Sequence, residues 1–170
     1  MKNQQIALVE QWFQSIGKPL DNAQGALSDM EIIQFQALLM DNGANLLRAF
    51  KQGDMAVVLA GLVNLAYSSV TAAVLAGARE DMPSASANWR HDGLIISIMR
   101  SLSHHIDACS SGKVEDYAAL NELCKRLVRD FLNADFEKAF QQVHQTHLEN
   151  RHVPVAQPVN MPDMSDCLFE

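Results

Sequence analysis

The chain has 170 residues, of which 48% are hydrophobic, and this suits one domain with a single core. Eight glycines and five prolines are too few for an all-β protein built from tight turns. The net charge of −7 offers no basic surface to a nucleic-acid backbone, so we expect no nucleic-acid partner.

The N-terminal part predicts a short helix and a cytoplasmic protein. Ile6, Val9, Trp12 and Phe13 recur at three- and four-residue steps, which is typical of an amphipathic helix over residues 4–16. This polar start lacks the charged beginning and apolar block of a signal peptide. The three cysteines lack the short spacing of zinc or redox motifs, and reduced cytoplasmic thiols are the simplest interpretation.

A helical hairpin is the strongest structural prediction. Ser28 and Glu31 form the capping box of a helix that runs almost to Asp54. Asp54 then caps a second helix, about residues 55–77, and such short connections force antiparallel neighbours. We therefore predict a tight hairpin over residues 29–77.

The second helix of this hairpin contains no charged residue, which raises a transmembrane interpretation. Helices that are apolar all round are also buried at the centre of bundles, and this one includes Gly61, Asn64, Ser68, Ser69 and Thr71. We predict a buried helix and no membrane partner. Because a small domain can bury such a helix by pairing with another subunit, we also expect a homo-oligomer, either a dimer or a tetramer.

The rest of the chain predicts further helices and a tail. A linker over 78–90 precedes helices at about 91–109 and 114–132, and a last helix covers about 135–149. Residues 151–170 contain three prolines and little periodicity, and we expect them to be extended or partly disordered. No strand-like alternation of useful length occurs, so the predicted class is all-α.

A row of polar residues interrupts the apolar face of the hairpin. Asp41, Asn42 and Asn45 fall within about one turn of the first helix, and Gly61 and Asn64 lie one turn apart in the second. In an antiparallel hairpin of these lengths, the two groups are expected near the same level. One gap would then contain one acid and several amides.

This arrangement resembles the motifs of the all-α nucleoside triphosphate pyrophosphohydrolases, which include MazG-like proteins, dimeric dUTPases and phosphoribosyl-ATP pyrophosphohydrolases. The stretch from Leu38 to Leu46 is similar to their first motif, two adjacent glutamates with a third three residues on. The stretch from Gly61 to Tyr67 is similar to the second motif, a glutamate followed three residues later by an aspartate.

Two further stretches, residues 13–19 and 140–150, are similar to the family's first helix end and its last motif. The last motif is a Val-His pair followed by an asparagine and then a lysine. The pair is kept at 143–144, while His147 and Asn150 stand at the two following places.

The resemblance implies a single helical-bundle domain over residues 1–150, in which about 78–133 form an inserted helical pair beside the central hairpin. The family chemistry cleaves a nucleoside triphosphate between its α and β phosphates, with Mg²⁺ held by carboxylates. In that scheme the metal ligands would be Asp41, Asn42, Asn45 and Asn64, and the nucleotide would contact His144, His147 and Asn150.

Where this chain departs from the family pattern, uncharged residues stand at positions that are charged in the family. Only Asp41 is an acid among the motif positions, and an amide cannot act as a general base near neutral pH. We expect weakened Mg²⁺ binding and turnover, which favours a catalytically impaired relative that still binds a nucleotide. One alternative is an active Mg²⁺-dependent pyrophosphohydrolase that uses Glu31, Asp54 or Asp135. Another is a dimerisation or protein-interaction module without nucleotide function.

Each of these polar residues also has a purely structural interpretation. The row on the first helix could lie on its solvated side, and Asn64 could fix helix register, as buried amides do in coiled coils. Gly61 is best interpreted as a site of close helix packing. The spacing of the six histidines does not indicate a shared transition-metal site.

Overall fold

The computed structural model describes residues 1–20, 27–87, 89 and 92–169, and the described chain is all-α. No strand occurs among these residues; Ala134 and Leu168 form an isolated β-bridge. The long helices are α1 (Gln4–Ser15), α2 (Asp29–Gln52), α3 (Met55–Ala76), α4 (Ile95–Ala108), α5 (Val114–Arg126) and α6 (Phe136–Glu149).

The hairpin of α2 and α3 begins and turns as predicted. The Ser28 hydroxyl accepts the Glu31 N–H, and the Glu31 carboxylate accepts the Ser28 N–H at 3.1 Å, which completes the capping box. Gly53 ends α2 in the left-handed conformation, with φ 77°. The Asp54 carboxylate accepts the Ala56 N–H at 3.0 Å and so starts α3 immediately.

α3 is the central helix of the bundle, with α1, α2, α5 and α6 packed around it. By length and composition, this one helix of the described chain could cross a membrane. However, 89% of its most apolar window is buried inside the bundle, which is typical of the core helix of a soluble protein. At Gly61 an added Cβ would lie 3.1 Å from the Leu46 Cδ1, so α2 and α3 approach closely there.

The helices within the predicted insertion, α4 and α5, contribute side chains to the core. α5 packs along α3, and Gln5 on α1 exchanges two amide hydrogen bonds with Asn121 on α5, at 2.9 and 3.2 Å. A single chain therefore buries α3 without help from a second subunit. The homo-oligomer stays a prediction, but the burial of α3 no longer argues for it.

Two helix boundaries are less simple than the periodicity indicates. The predicted start of the third helix at residue 91 lies outside the described residues, as do 88, 90 and 170, and α4 begins at Ile95. A π-helical turn at Leu127–Phe131 continues α5 almost to the predicted end of the fourth helix.

The C-terminal segment, residues 151–169, follows the bundle without a long helix and is fixed at its far end. Met164 and Cys167 are buried there. The Asp135 N–H donates to the Cys167 carbonyl at 2.9 Å, which ties the segment to the start of α6. The part that precedes this anchor, residues 158–163, forms one wall of the cleft described below.

Gly112 offers a test of the packing between the end of α4 and the start of α2. Its φ is 72°, and an added Cβ would lie 2.5 Å from the Ile32 Cδ1. A left-handed residue with a Cβ costs about 1–2 kcal/mol by itself. We expect Gly112→Ala to lower the free energy of unfolding by more than Gly53→Ala, where φ is 77° and nothing lies within 4 Å of the added Cβ. Urea unfolding measures both losses, and equal losses would contradict the Ile32 contact.

Candidate ligand-binding cleft

A cleft of about 540 Å³ lies between α2, α3 and residues 158–163. Its polar lining from the hairpin comprises Asn42, Asn45, Asp54 and Asn64. Apolar side chains, among them Val57, Ala60 and Met161, cover much of the rest. Asp163 adds a second carboxylate, and no Lys, Arg or His is found among the described lining residues. The volume is within the usual range for small-molecule sites, about 300–1,000 Å³.

The structure brings together three of the four predicted metal ligands and separates the fourth. Asn42, Asn45 and Asn64 line the cleft, whereas Asp41 is exposed on α2 and does not contribute to the lining. Consecutive residues of a helix point about 100° apart, so the burial of Asn42 turns Asp41 away. The expectation that one gap contains the acid and the amides is therefore wrong for Asp41.

The Asn42 amide is held by Ser68 on the facing helix. Asn42 Nδ2 donates to the Ser68 Oγ at 3.0 Å, and the Ser68 hydroxyl donates to the Asn64 backbone carbonyl, also at 3.0 Å. Both side chains are buried, at 5% and 3% exposure. The chain of hydrogen bonds links the two amide-bearing turns of the hairpin.

The oxygens of the other two amides are already engaged. The Asn64 Oδ1 lies 3.1 Å from the His147 Nε2, and the Asn45 Oδ1 accepts from the Arg48 guanidinium at 2.8 Å. A cation such as Mg²⁺ would have to displace a hydrogen-bond donor at Asn64 and a positive charge at Asn45.

The donor set does not fit Mg²⁺. This ion prefers several carboxylate oxygens and water, in near-octahedral geometry. Of the predicted ligands only Asn42 keeps a side-chain oxygen without a hydrogen-bond partner at the cleft. Within residues 1–20, 27–87, 89 and 92–169, no group of three or more His, Cys, Asp or Glu side chains converges as a metal site would require. We therefore derive no chemical step through a metal.

The two α6 histidines lie behind the cleft and support its wall. The His147 ring stacks on the Tyr67 ring with 4.3 Å between centroids and 5° between planes. The His144 Nδ1 lies 2.9 Å from the Tyr67 hydroxyl, and its Nε2 lies 3.1 Å from the Gln11 Oε1. Because the Gln11 oxygen only accepts, the His144 Nε2 carries the proton and its Nδ1 accepts from Tyr67.

Burial keeps all three of these groups uncharged. It lowers the pKa of His147 to about 4, with a smaller contribution from His144, and it also lowers the pKa of His144. It raises the pKa of the Tyr67 hydroxyl far above its usual value. The predicted nucleotide contacts His144 and His147 therefore act as neutral hydrogen-bonding groups, with no positive charge to offer a phosphate.

Asn150 and the alternative acids have local structural partners. The Asn150 amide donates to the Thr146 carbonyl at 2.8 Å at the end of α6, and the residue borders a void of about 20 Å³ outside the cleft. Glu31, Asp54 and Asp135 each accept hydrogen bonds at a helix start. Asp54 alone of these three acids also lines the cleft.

Sequence reasoning missed the wall that the C-terminal segment supplies. Prolines at 154, 158 and 162 recur every four residues between apolar side chains, a pattern that can indicate a rigid extended segment. That pattern does not identify the surface against which the segment packs. The cleft is formed by parts of the chain about a hundred residues apart, as Asn64 and Met161, which both line it, illustrate.

Comparisons of this chain with protein-family models, with curated proteins and with solved structures find no match.

The depressed pKa of His147 predicts a pH-dependent stability. Unfolding returns the ring to its usual pKa of 6.5, so the unfolded chain binds more protons than the folded one between pH 6.5 and about 4. The stability present above pH 6.5 is lost as the pH falls through this window, by roughly 3 kcal/mol at 1.36 kcal/mol per unit. Urea unfolding across this pH range measures the loss.

A non-titrating variant isolates this contribution. His147→Gln keeps a side-chain donor for Asn64, and we expect it to flatten the dependence of unfolding free energy on pH between 4 and 6.5. His104→Gln, at an exposed histidine of α4, is the matched control and should leave the slope unchanged. Equal slopes for His147→Gln and the parent protein would contradict the assignment.

Proposed function

We propose that the protein is a pyrophosphohydrolase-type bundle that has lost metal-dependent hydrolysis and binds a nucleotide, or its nucleoside part, in the cleft. The observation that carries this proposal is the set of amides at the motif positions, of which Asn42 and Asn64 are buried. The side-chain oxygens of Asn45 and Asn64 are already engaged by hydrogen-bond donors. Three free, buried cysteines are compatible with the cytoplasmic location that the sequence favours.

The loss of hydrolysis follows from the chemistry of the lining. Water attack on a phosphoanhydride needs a base or a metal-bound hydroxide, and developing charge on the phosphates needs a cation. The lining provides amides and two carboxylates, one of which caps α3. A nucleotide held there would therefore keep its phosphates.

A ligand panel tests this proposal. We expect no pyrophosphate release from any nucleoside triphosphate in the presence of Mg²⁺ or Mn²⁺, because the described residues contain no converging metal-binding cluster and no cation lines the cleft. We also expect at least one nucleoside or nucleotide to raise the Tm, because a ligand that binds the folded state stabilises it. Release of pyrophosphate from any of these compounds would favour the active-enzyme alternative. An unchanged Tm with every compound would refute ligand binding in the cleft.

An exposed apolar stripe on α2 favours a second role, in self-association. Met30, Ile33 and Met40 are each more than 60% exposed, and Ala37 lies exposed between them. Their spacing of three, four and three residues is that of a coiled-coil seam. We propose a second copy of the chain as the partner, because in an antiparallel pairing of two α2 helices Ile33 would face Ala37 and Met30 would face Met40 across a twofold axis.

A charge placed in the stripe tests self-association. We expect the parent protein to have the mass of a dimer by light scattering, and Ile33→Glu to have the mass of a monomer because the seam would bury an unpaired carboxylate. Gln34→Glu adds the same charge beside the stripe and should leave the mass unchanged. A monomeric parent protein would refute this role.

A further inference from the structure

We propose that the cleft recognises the hydrogen-bonding edge of an uncharged nucleobase or nucleoside, with Asn42 accepting a hydrogen bond from the base and Asn64 donating one to it. This inference rests on the proposed function and names the ligand class of the same cleft. The reacting phosphates that the sequence motifs predict would have no part in this recognition.

The free atom of Asn42 is fixed by the hydroxyl that it contacts. Ser68 has one hydroxyl proton and donates it to the Asn64 backbone carbonyl at 3.0 Å. The Ser68 Oγ can therefore only accept a hydrogen bond from Asn42. The donor is the Asn42 Nδ2, which lies 3.0 Å from the Oγ. The Asn42 Oδ1 has no hydrogen-bond partner in the described chain, and the side chain lines the cleft. Asn42 thus presents an acceptor.

The side-chain atom of Asn64 without a hydrogen-bond partner is a donor, whereas that of Asn42 is an acceptor. Its Oδ1 lies 3.1 Å from the His147 Nε2, and the neutral ring carries a proton on that nitrogen to make the contact. The Nδ2 is left without a hydrogen-bond partner among the described residues, and Asn64 lines the same cleft. Asn64, which is only 7% exposed, thus presents a donor.

An acceptor and a donor on facing turns of one hairpin match the edge of a nucleobase. Each common base carries an N–H group beside a carbonyl oxygen or a ring nitrogen, so it can donate to Asn42 and accept from Asn64. The apolar lining, including Val57, Ala60 and Met161, suits the two faces of a planar heterocycle. The Asn42 and Asn64 side chains do not bond to each other, so the edge of one ligand would supply the missing hydrogen bond of each.

The charges of the cleft favour the base over the phosphates. Asp54 and Asp163 line it, hydrogen bonds from Ser165 hold the pKa of Asp163 below its usual value, and no cation lies in the described lining. A triphosphate would meet these two carboxylates, and the nearby Arg48 guanidinium is already bound to the Asn45 oxygen. The nucleoside should therefore bind more tightly than the corresponding triphosphate.

Methylated nucleosides test the recognition directly. Calorimetry would compare uridine, guanosine, adenosine and cytidine with forms whose base N–H groups are blocked by methyl groups. We expect at least one parent nucleoside to bind, and its methylated form to bind at least tenfold more weakly, because the Asn42 acceptor then lacks a donor. We also expect its triphosphate to bind more weakly, with or without Mg²⁺.

A variant that replaces the amide donor by an acceptor tests the role of Asn64. Asn64→Asp keeps an oxygen for His147 but replaces the donor by an acceptor, so we expect at least a tenfold loss of nucleoside affinity. Asn121→Asp is the matched control, because Asn121 is an equally buried amide on α5, outside the cleft. It should lower the Tm without changing the affinity by more than about twofold, as expected of a site with no shared partners.

The outcomes separate this inference from the proposed function. Equal affinity for a nucleoside and its methylated form would overturn base-edge recognition but leave ligand binding in place. Triphosphate binding that requires Mg²⁺ and becomes tighter in Asn64→Asp would also overturn it, in favour of a metal-phosphate site. Failure of every nucleoside and nucleotide to bind would overturn both.

Discussion

The close approach of α2 and α3 at Gly61 and Leu46 constrains the rest of the bundle. It places α3 at the centre, where other helices exclude water from most of its surface, so each polar group on α3 away from the cleft needs a partner inside the protein. Ser69 and Thr71 find theirs within the helix, by donating to carbonyls of the preceding turn at 2.8 Å. Such back-bonding satisfies the hydroxyl proton within the helix.

Two other α3 side chains form hydrogen bonds with side chains of α6 instead of with the α3 backbone. Asn64 contacts His147, and the Tyr67 hydroxyl donates to His144. Because His144 and His147 are one turn apart, as are Asn64 and Tyr67, the two contacts fix both the register and the rotation of α6 against α3. The Val-His pair at 143–144 and the stretch from Gly61 to Tyr67 therefore belong to one structural unit.

The sequence predicted those features that depend on neighbouring residues. The capping box, the turn at Gly53 and Asp54 and the buried character of α3 are local properties of propensity and periodicity. The packing of α5 on α3 and the C-terminal wall of the cleft depend on distant contacts that periodicity cannot supply. Asp41 shows a different limit, because spacing within a turn allows a shared direction but does not require it.

The arrangement of the amides argues against a purely structural role for them. A register-fixing pair in a helical interface saturates itself, each amide bonding to the other, as buried asparagines do in coiled coils. Here Asn42 and Asn64 bond to Ser68 and His147 instead, so one half of each amide is held and the other half is not. Neither open half is among the buried side-chain atoms that lack a partner in the described chain, so each can be completed from the cleft. The two open halves have opposite polarity and face the same cleft, which is the arrangement expected when a ligand supplies the missing partners.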